Sequence, residues 1–413
     1  MFLDATKVYM IKRFTTSLAN TTMFTTYAIY YITALGLNPF ELLLIGMVLE
    51  LSVLLFEGVT GVVADTYSRR LSVIIGMFVI GTGFVMQGVI PALEGMLPFI
   101  PVMVWLLMAQ VFFGVGDTFV SGADTAWIVD EVGEEKIGTI FMKGKRYSLL
   151  ATLLGIALSV GLSTWAPNLP YLAGGILYLL LGVFLILFMK ETAFTRKKRE
   201  EGASHFREMA STWMSGARVI RSQPILLLIL LVTLFTGAAS EGYDRLWEAH
   251  LISEIGFPLV GTLSLPMWFG IIAAVSALLS LVAVGIAEKR LDVNNERIVV
   301  VGMFVLTGLK IAAVISFALA PSFEWALVCL LLIGVIEALS SPLYDTWLNL
   351  NIESNVRATI LSMMSQSNAL GQTAGGPVVG WIGHRLSIRA SLVVAGILLA
   401  PILVVFGRVL RKR

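Results

Sequence analysis

Four stretches of this chain carry polar side chains at helical spacing inside otherwise apolar sequence. Gly114, Asp117, Ser121 and Asp124 fall at i, i+3, i+7 and i+10, which puts them on one stripe of a helix. Glu337, Ser341, Tyr344 and Asp345 repeat the theme. A third stretch holds Thr233, Thr236, Ser240, Glu241, Asp244 and Arg245, and the first holds Asn20, Thr21, Thr25 and Tyr27. An ionisable side chain at bilayer depth is costly unless paired or hydrated, so each marks a functional site by default. Acids outnumber bases: against Asp117, Asp124, Glu241, Asp244, Glu337 and Asp345 stand Arg245 and Lys310. A carboxyl shielded from water can take up and release a proton as its access to solvent changes, and it can pair with a cationic solute. Glu241 and Arg245 are i, i+4 and equally well neutralise each other. Lys310 is either a buried counter-ion or a side chain that snorkels to the interface. Glu50, seven before Glu57, faces either a cavity or a neighbouring helix.

Other chemistry finds no support. Gly138 to Lys145 imitates a phosphate loop, but five residues separate its glycines, Arg146 replaces the required Ser or Thr, and no strand precedes it. Cys329 is the single cysteine, and His205, His250 and His384 lie far apart, so no disulfide, metal site or cofactor is expected. No metalloprotease motif or nucleophile elbow is present. The expectation is a protein that is not an enzyme and does not bind nucleic acid.

The elements that must position these residues are membrane spans. Of 413 residues, 57% are hydrophobic and 14% charged, and the mean hydropathy is +0.87. A water-soluble fold could not clothe its surface with that composition. Runs of about 20 apolar residues give twelve spans, near 12–35, 41–64, 71–90, 99–129, 146–165, 170–190, 224–252, 263–287, 298–320, 324–348, 358–382 and 389–408. The first is too long for a signal peptide and lacks a small-residue cleavage site, so it stays attached. With both termini inside, inner segments collect Lys7, Lys12, Arg69, Arg70, Lys143, Arg146, the run Arg196–Arg199 and Arg411, while outer loops keep only Arg385 and Arg389. The long polar stretch 190–223 links two halves. Phe206, Met209, Trp213, Ala217 and Ile220 give it either an amphipathic helix on the inner face or a solvated flexible linker.

The halves repeat at a constant offset of 220 residues. Gly36 matches Gly256, Pro101 matches Pro321, Trp105 matches Trp325, Trp127 matches Trp347 and Asp117 matches Glu337. Asp117 and Glu337 are therefore the symmetric centre of the acidic set, with Asp124 nearer the inner side. Glu241 falls opposite Thr21 and is expected deep in the bilayer.

After the second span the sequence reads Gly61-Val-Val-Ala-Asp65-Thr-Tyr-Ser-Arg69-Arg70. This resembles the signature of the major facilitator superfamily, departing from it at Thr66 and Ser68. The resemblance implies an all-α membrane fold of twelve transmembrane helices in two pseudo-symmetric six-helix bundles, residues 1–190 and 224–413, joined by a cytoplasmic linker over 191–223. It implies that spans one, four, seven and ten line a cavity, and these are the spans with polar stripes. It implies an inner gate of Gly61, Asp65, Arg69, Arg70 and Asp130, with Asp65 at the N-terminus of the eleventh span and Arg69 on Asp130; alternatively Arg69 and Arg70 are topology signals only. The Ser121-Gly122-Ala123 segment leading to Trp127 and Asp130 resembles multidrug-efflux members. Gln110 stands where drug–proton antiporters often carry arginine, and Gly155 to Gly161 lacks their proline. The expected function is proton-coupled efflux of small amphipathic or cationic molecules by alternating access, from a monomer in the cytoplasmic membrane whose partners are substrate, protons and lipid. A proton-coupled importer, a lipid flippase and a non-transporting sensor on the same scaffold are the alternatives.

Overall fold

The computed structural model describes residues 3–193, 223–258, 263–290, 295–351 and 357–411. The expected linker helix over 205–221 lies outside the described residues. The helices are α1 Ala5–Phe24, α2 Pro39–Thr66, α3 Arg69–Gly88, α4 Ile90–Met96, α5 Val102–Val120, α6 Ala123–Val132, α7 Glu134–Trp165, α8 Leu169–Phe188, α9 Pro224–His250, α10 Leu265–Arg290, α11 Glu296–Ala318, α12 Phe323–Leu350, α13 Arg357–Arg385, α14 Ile388–Leu398 and α15 Ala400–Arg411. Local chemistry starts several of them. Ser68 accepts from Leu71 N at the head of α3, Asn295 from Arg297 N at the head of α11, and Ser387 from Ala390 N at the head of α14.

Ten spans among the described residues, not twelve, are long and apolar enough to cross a membrane. The expected first and eleventh spans do form helices, α1 and α13. They fall short on composition: α1 carries Lys7, Lys12 and Arg13, and α13 carries Ser365, Gln366, Ser367, Asn368 and Gln372. Leu153, Leu154, Leu180, Leu187, Leu278 and Leu281 stand exposed on α7, α8 and α10. Apolar side chains turned outward on that scale mark a lipid-facing surface. The molecule is an all-helical, multi-pass membrane protein.

Two compact units emerge. Unit 1 comprises Met1–Gly36, Leu51–Arg207 and Ser264–Gly270; unit 2 comprises Leu37–Glu50, Glu208–Leu263 and Ile271–Arg413. Their boundary thus passes through α2 and α10 as well as between α8 and α9. In unit 1, α3 packs on α5 and α8, and α1 on α7 and α8. In unit 2, α9 packs on α13 and α11 on α12. Small residues let these backbones meet: a Cβ at Gly76 of α3 would lie 2.8 Å from the Gly116 carbonyl of α5, and one at Gly375 of α13 only 2.6 Å from Ala238 Cα of α9.

The duplication is visible in the backbone. In unit 1 a π-turn, Ile29–Ala34, leads to Gly36 at φ 66°; in unit 2 another, Leu251–Ile255, leads to Gly256 at φ 78°. Only glycine takes that conformation at no steric cost. The fourth and tenth spans break the symmetry. The expected single helix over 99–129 is two helices, α5 and α6, separated at Gly122 (φ 71°, ψ −44°). Ala123 N donates to Ser121 O across it at 2.8 Å, which makes a γ-turn. The carbonyls freed by the break are satisfied: Thr60 Oγ1 donates to Thr118 O at 3.0 Å, and Ser72 Oγ to Phe119 O at 2.7 Å. The equivalent position in unit 2 is Pro342, and α12 runs through it unbroken.

Candidate functional site

In unit 2, helices α9, α11, α12 and α15, with Leu399 at the junction of α14 and α15, surround a cavity of about 370 Å³. Its walls are largely apolar, from Val232, Met303, Leu399, Ile402 and Phe406, and its polar groups are Thr236, Asp244, Thr307, Lys310, Glu337, Ser340, Ser341 and Tyr344. The register of α12 explains the set, since Glu337, Ser340, Ser341 and Tyr344 follow at i, i+3, i+4 and i+7. Lys310 of α11 reaches the Glu337 carboxylate at 2.9 Å, their side chains 17% and 43% exposed. Lys310 is therefore a counter-ion in the cavity and not a snorkelling side chain. Asp244 lines the same cavity, within electrostatic reach of Lys310, Glu337, Glu241 and Arg245. Asp345 is exposed and does not line it; Tyr344 takes that place, hydrogen-bonded to Thr233.

One turn along the face of α9, Glu241 is buried and accepts from Arg245 Nε at 3.0 Å. The amide nitrogen of Gln372, assigned in the orientation that satisfies both ends of the group, donates to Glu241 Oε2 at 3.1 Å and to Glu50 Oε1 at 3.2 Å. Its oxygen accepts from Asn368 Nδ2 at 2.8 Å. A Cβ at Gly46 would fall on the Glu241 carboxylate, so that glycine makes room for the acid. Glu50 therefore faces neighbouring helices of unit 2.

Unit 1 is organised differently. The break at Gly122 places Asp117 and Asp124 on separate helices, so the stripe expected on one helix does not exist. Asp117, exposed at the end of α5, lies in electrostatic reach of Lys12 and Glu57. Asp124, in the first turn of α6, is buried and pairs with Lys12 Nζ at 2.5 Å. The helix of Lys12 begins at Ala5 and not near residue 12, so this lysine lies about two turns inside it. The signal that identifies it is spacing: Lys12, Thr16 and Asn20 share a face at i, i+4 and i+8. Asn20 accepts from the Tyr178 hydroxyl at 2.7 Å, beside an aromatic cluster of Tyr30, Tyr31, Phe84 and Tyr171.

At the foot of α3, Arg69 donates to the Asp130 carboxylate and, at 2.9 Å, to Ala126 O. Arg70 donates to Met189 O and Ile186 O at the end of α8. Glu191, which sequence reasoning passed over, accepts from Arg69 N at 2.8 Å and from Ser68 Oγ at 2.5 Å. It sets an anion on the N-terminus of α3. Glu131 accepts from Thr192 N at 2.5 Å and from Ala193 N at 3.0 Å. Gly61 is exposed with open space around it. The side chain of Asp65 lies outside the described residues.

Comparison with known proteins agrees with this architecture. The family model of the Major Facilitator Superfamily matches residues 9–371. A relative from Bacillus subtilis (strain 168), the uncharacterized MFS-type transporter YxaM, is 24% identical over 383 residues, covering 91% of this chain and 89% of the relative. Solved structures of the same fold include the nucleoside transporter NupG (TM-score 0.74, 12% identity, 98% of this chain and 99% of that one). A POT family transporter in complex with 5-aminolevulinic acid gives a TM-score of 0.74 at 13% identity over 98% of this chain and 96% of that one. A bacterial homolog of the human lysosomal transporter Spinster gives 0.71 at 14% identity over 98% and 96%. The chain belongs to the Major Facilitator Superfamily and is a membrane transporter.

Proposed function

We propose that the chain is a secondary transporter that couples proton movement to the passage of small amphipathic molecules bearing a cationic group. Two six-helix halves, residues 1–190 and 224–413, alternate access around their acidic side chains. The observation that carries this reading is the unit 2 cavity, where one lysine, Lys310, faces two acids, Glu337 and Asp244. An acid lining the cavity can take up a proton or pair with a cationic solute. The apolar wall of Met303, Leu399, Ile402 and Phe406 suits the solute's body.

Two further parts of the reading are inferred. α1 and α13 cross the bilayer with the ten apolar spans, giving twelve. What supports this is that their polar groups are engaged within their own units: Lys12 on Asp124, Ser367 on Leu230 O at 3.2 Å, and Gln372 on its two acids. Both termini lie on the inner side of the cytoplasmic membrane on this reading, supported by the basic residues in the inner segments; a monomer is the simplest assembly consistent with it. Arg69 and Asp130 form the inner gate.

Efflux is the direction inferred from the resemblance to drug exporters. Import is the second reading, favoured by the solved relatives named as nucleoside and peptide transporters. Proteoliposomes with an imposed pH gradient, tested against a panel of organic cations and neutral amphiphiles, decide both. Wild type should accumulate or expel a cation with the gradient, and Glu337→Gln and Asp244→Asn should not. Movement indifferent to the gradient in wild type overturns the coupling. Movement of fluorescent phospholipid instead selects the flippase, and no movement of any compound selects the sensor.

A further inference from the structure

A basic groove on unit 1 has no part in the transport cycle proposed above. α1 and α7 run side by side in the same direction: a Cβ at Gly144 would lie 3.1 Å from Tyr9 Cε1, and one at Gly155 2.7 Å from Thr21 Cβ. Beside that contact lies a groove of about 420 Å³, whose walls include Lys7, Met10, Ile11 and Phe14 of α1 and Tyr147 and Leu150 of α7. The α1 residues follow at i, i+3, i+4 and i+7 and so form one face. On α7, Lys143 stands four residues before Tyr147 and Arg146 four before Leu150, so both cations share the face that lines the groove.

The groove is charged at one end and apolar along the rest. Side chains on a helix lean toward its N-terminus, so Lys7, Lys143 and Arg146 gather toward the end at which α1 and α7 begin. All three are exposed. Among the described residues none of them forms an ion pair, and neither does Asp4, the exposed acid three residues before Lys7. The side chains of Glu134 and Glu135 lie outside the described residues. The apolar span of α7 starts at Lys143, which sets the cations where the helix enters the bilayer. In the other direction Leu153, Leu154 and Leu158 continue the face of Leu150 at i+3, i+4 and i+8, and all stand exposed.

We propose that this groove is a binding site for an anionic phospholipid, with its phosphate among Lys7, Lys143 and Arg146 and an acyl chain along Ile11, Phe14 and Leu150. Two observations choose that occupant. Basic side chains at the membrane surface attract anionic headgroups, and these three have no acid of their own to neutralise them; a zwitterionic lipid would bring an ammonium group to the same place. The apolar wall then runs from the cations into the bilayer, which suits a chain-bearing anion and would be left bare by a soluble one. A lipid seated there touches both helices and braces the start of α1, ahead of the Lys12 that pairs with Asp124. The site stands apart from the proton-coupled reading and holds whether or not that reading does.

Native mass spectrometry of the full chain in detergent, offered equal amounts of dioleoyl-phosphatidylglycerol and dioleoyl-phosphatidylcholine, reads the preference. Wild type should retain phosphatidylglycerol over phosphatidylcholine. The variant carrying Lys7→Gln, Lys143→Gln and Arg146→Gln should lose that preference, by about fivefold for each basic residue removed. Removing the same charge from exposed positions off this face, with Lys145→Gln, Arg408→Gln and Arg411→Gln, should leave it in place. Equal binding of the two lipids by wild type, or equal loss in both triple variants, overturns the site. Melting without added lipid shows whether the first variant is folded; if it is not, Lys7→Gln alone should weaken phosphatidylglycerol binding by about fivefold, and an unchanged preference in it overturns the site. Phosphatidylglycerol should also raise the melting temperature of wild type, whereas soluble glycerol phosphate at the same concentration should not. A rise with glycerol phosphate as large as with the lipid would show a bare anion site and overturn the phospholipid as occupant.

Discussion

Lys310 Nζ lies 2.9 Å from Glu337 Oε1 inside the unit 2 cavity, so the acid at the centre of the sequence repeat has a partner that the repeat itself does not contain. The position equivalent to Lys310 in the first half is Ile90. The two halves therefore differ in a charge that faces the unit 2 cavity. The Glu337 side chain is 43% exposed, and screening keeps the pair's worth near 1 kcal/mol. Glu337→Gln should lower thermal stability only slightly while abolishing gradient-driven flux. Lys310→Gln with Glu337→Gln should melt close to wild type. Melting curves of the two single variants and the double give the coupling energy. A coupling well above that figure would show the pair is structural and would leave Glu337 no freedom to exchange protons.

The γ-turn at Gly122 yields a prediction about backbone. Its φ of 71° is a conformation that side-chain-bearing residues avoid. Gly122→Ala should therefore destabilise by about 1 kcal/mol or more, although open space surrounds the site and no side chain would be touched. Pro342→Ala, at the matching place in the unbroken α12, should be neutral or mildly stabilising, because it restores a helix-compatible residue. Equal melting temperatures for Gly122→Ala and wild type would mean the break is not held by the glycine.

Much of this was legible before the fold. The repeat at 220 residues showed itself because tryptophan, proline and acidic coincidences are rare in an apolar chain, and Gly36 and Gly256 prove to end matching π-turns. The Arg69–Asp130 pair was implied by the resemblance to the superfamily's signature, and the two side chains do meet. What escaped has physical causes. A lysine near the start of an apolar run reads the same whether it lies at the mouth of a helix or two turns inside, so Lys12 passed for a topology signal. A helix broken by a γ-turn keeps its residue spacing, so the separation of Asp117 from Asp124 left no periodic trace. Gln372 carries no charge and raised no alarm, although it binds two acids that did. α1 and α13 show that polarity paired within the protein lowers a span's apparent hydrophobicity without preventing the helix.

Glu191 offers a test of the inner-face network. It accepts from Arg69 N, Arg70 N and Ser68 Oγ, combining a cap with a charge at the N-terminus of α3. Glu191→Ala should cost about 1–2 kcal/mol. Glu191→Gln, which keeps an acceptor and loses the charge, should cost roughly half as much. Thermal unfolding at low and high salt checks this: the gap between the two variants should narrow with salt, since only the charge is screened. A salt-independent gap would assign the whole effect to hydrogen bonding.

The Lys12–Asp124 pair is the strictest test of which acids work in transport. Both side chains are largely buried, 3% and 11% exposed. Asp124 Oδ1 has no hydrogen-bond partner among the described residues, so the lysine carries most of its compensation. Removing one charge from such a pair leaves the other stranded, at a cost of about 3–5 kcal/mol, whereas replacing both by apolar groups of similar size is often neutral. Asp124→Asn should thus lower the melting temperature sharply, and Lys12→Met with Asp124→Leu should restore it. The same variants separate structure from mechanism. If Asp124 serves only to neutralise Lys12, the double variant regains gradient-driven flux along with its stability, and Asp117, exposed at the end of α5, is left as the acid of unit 1 able to meet solute or proton. A double variant that melts like wild type but stays silent in the flux assay would place Asp124 in the coupling path.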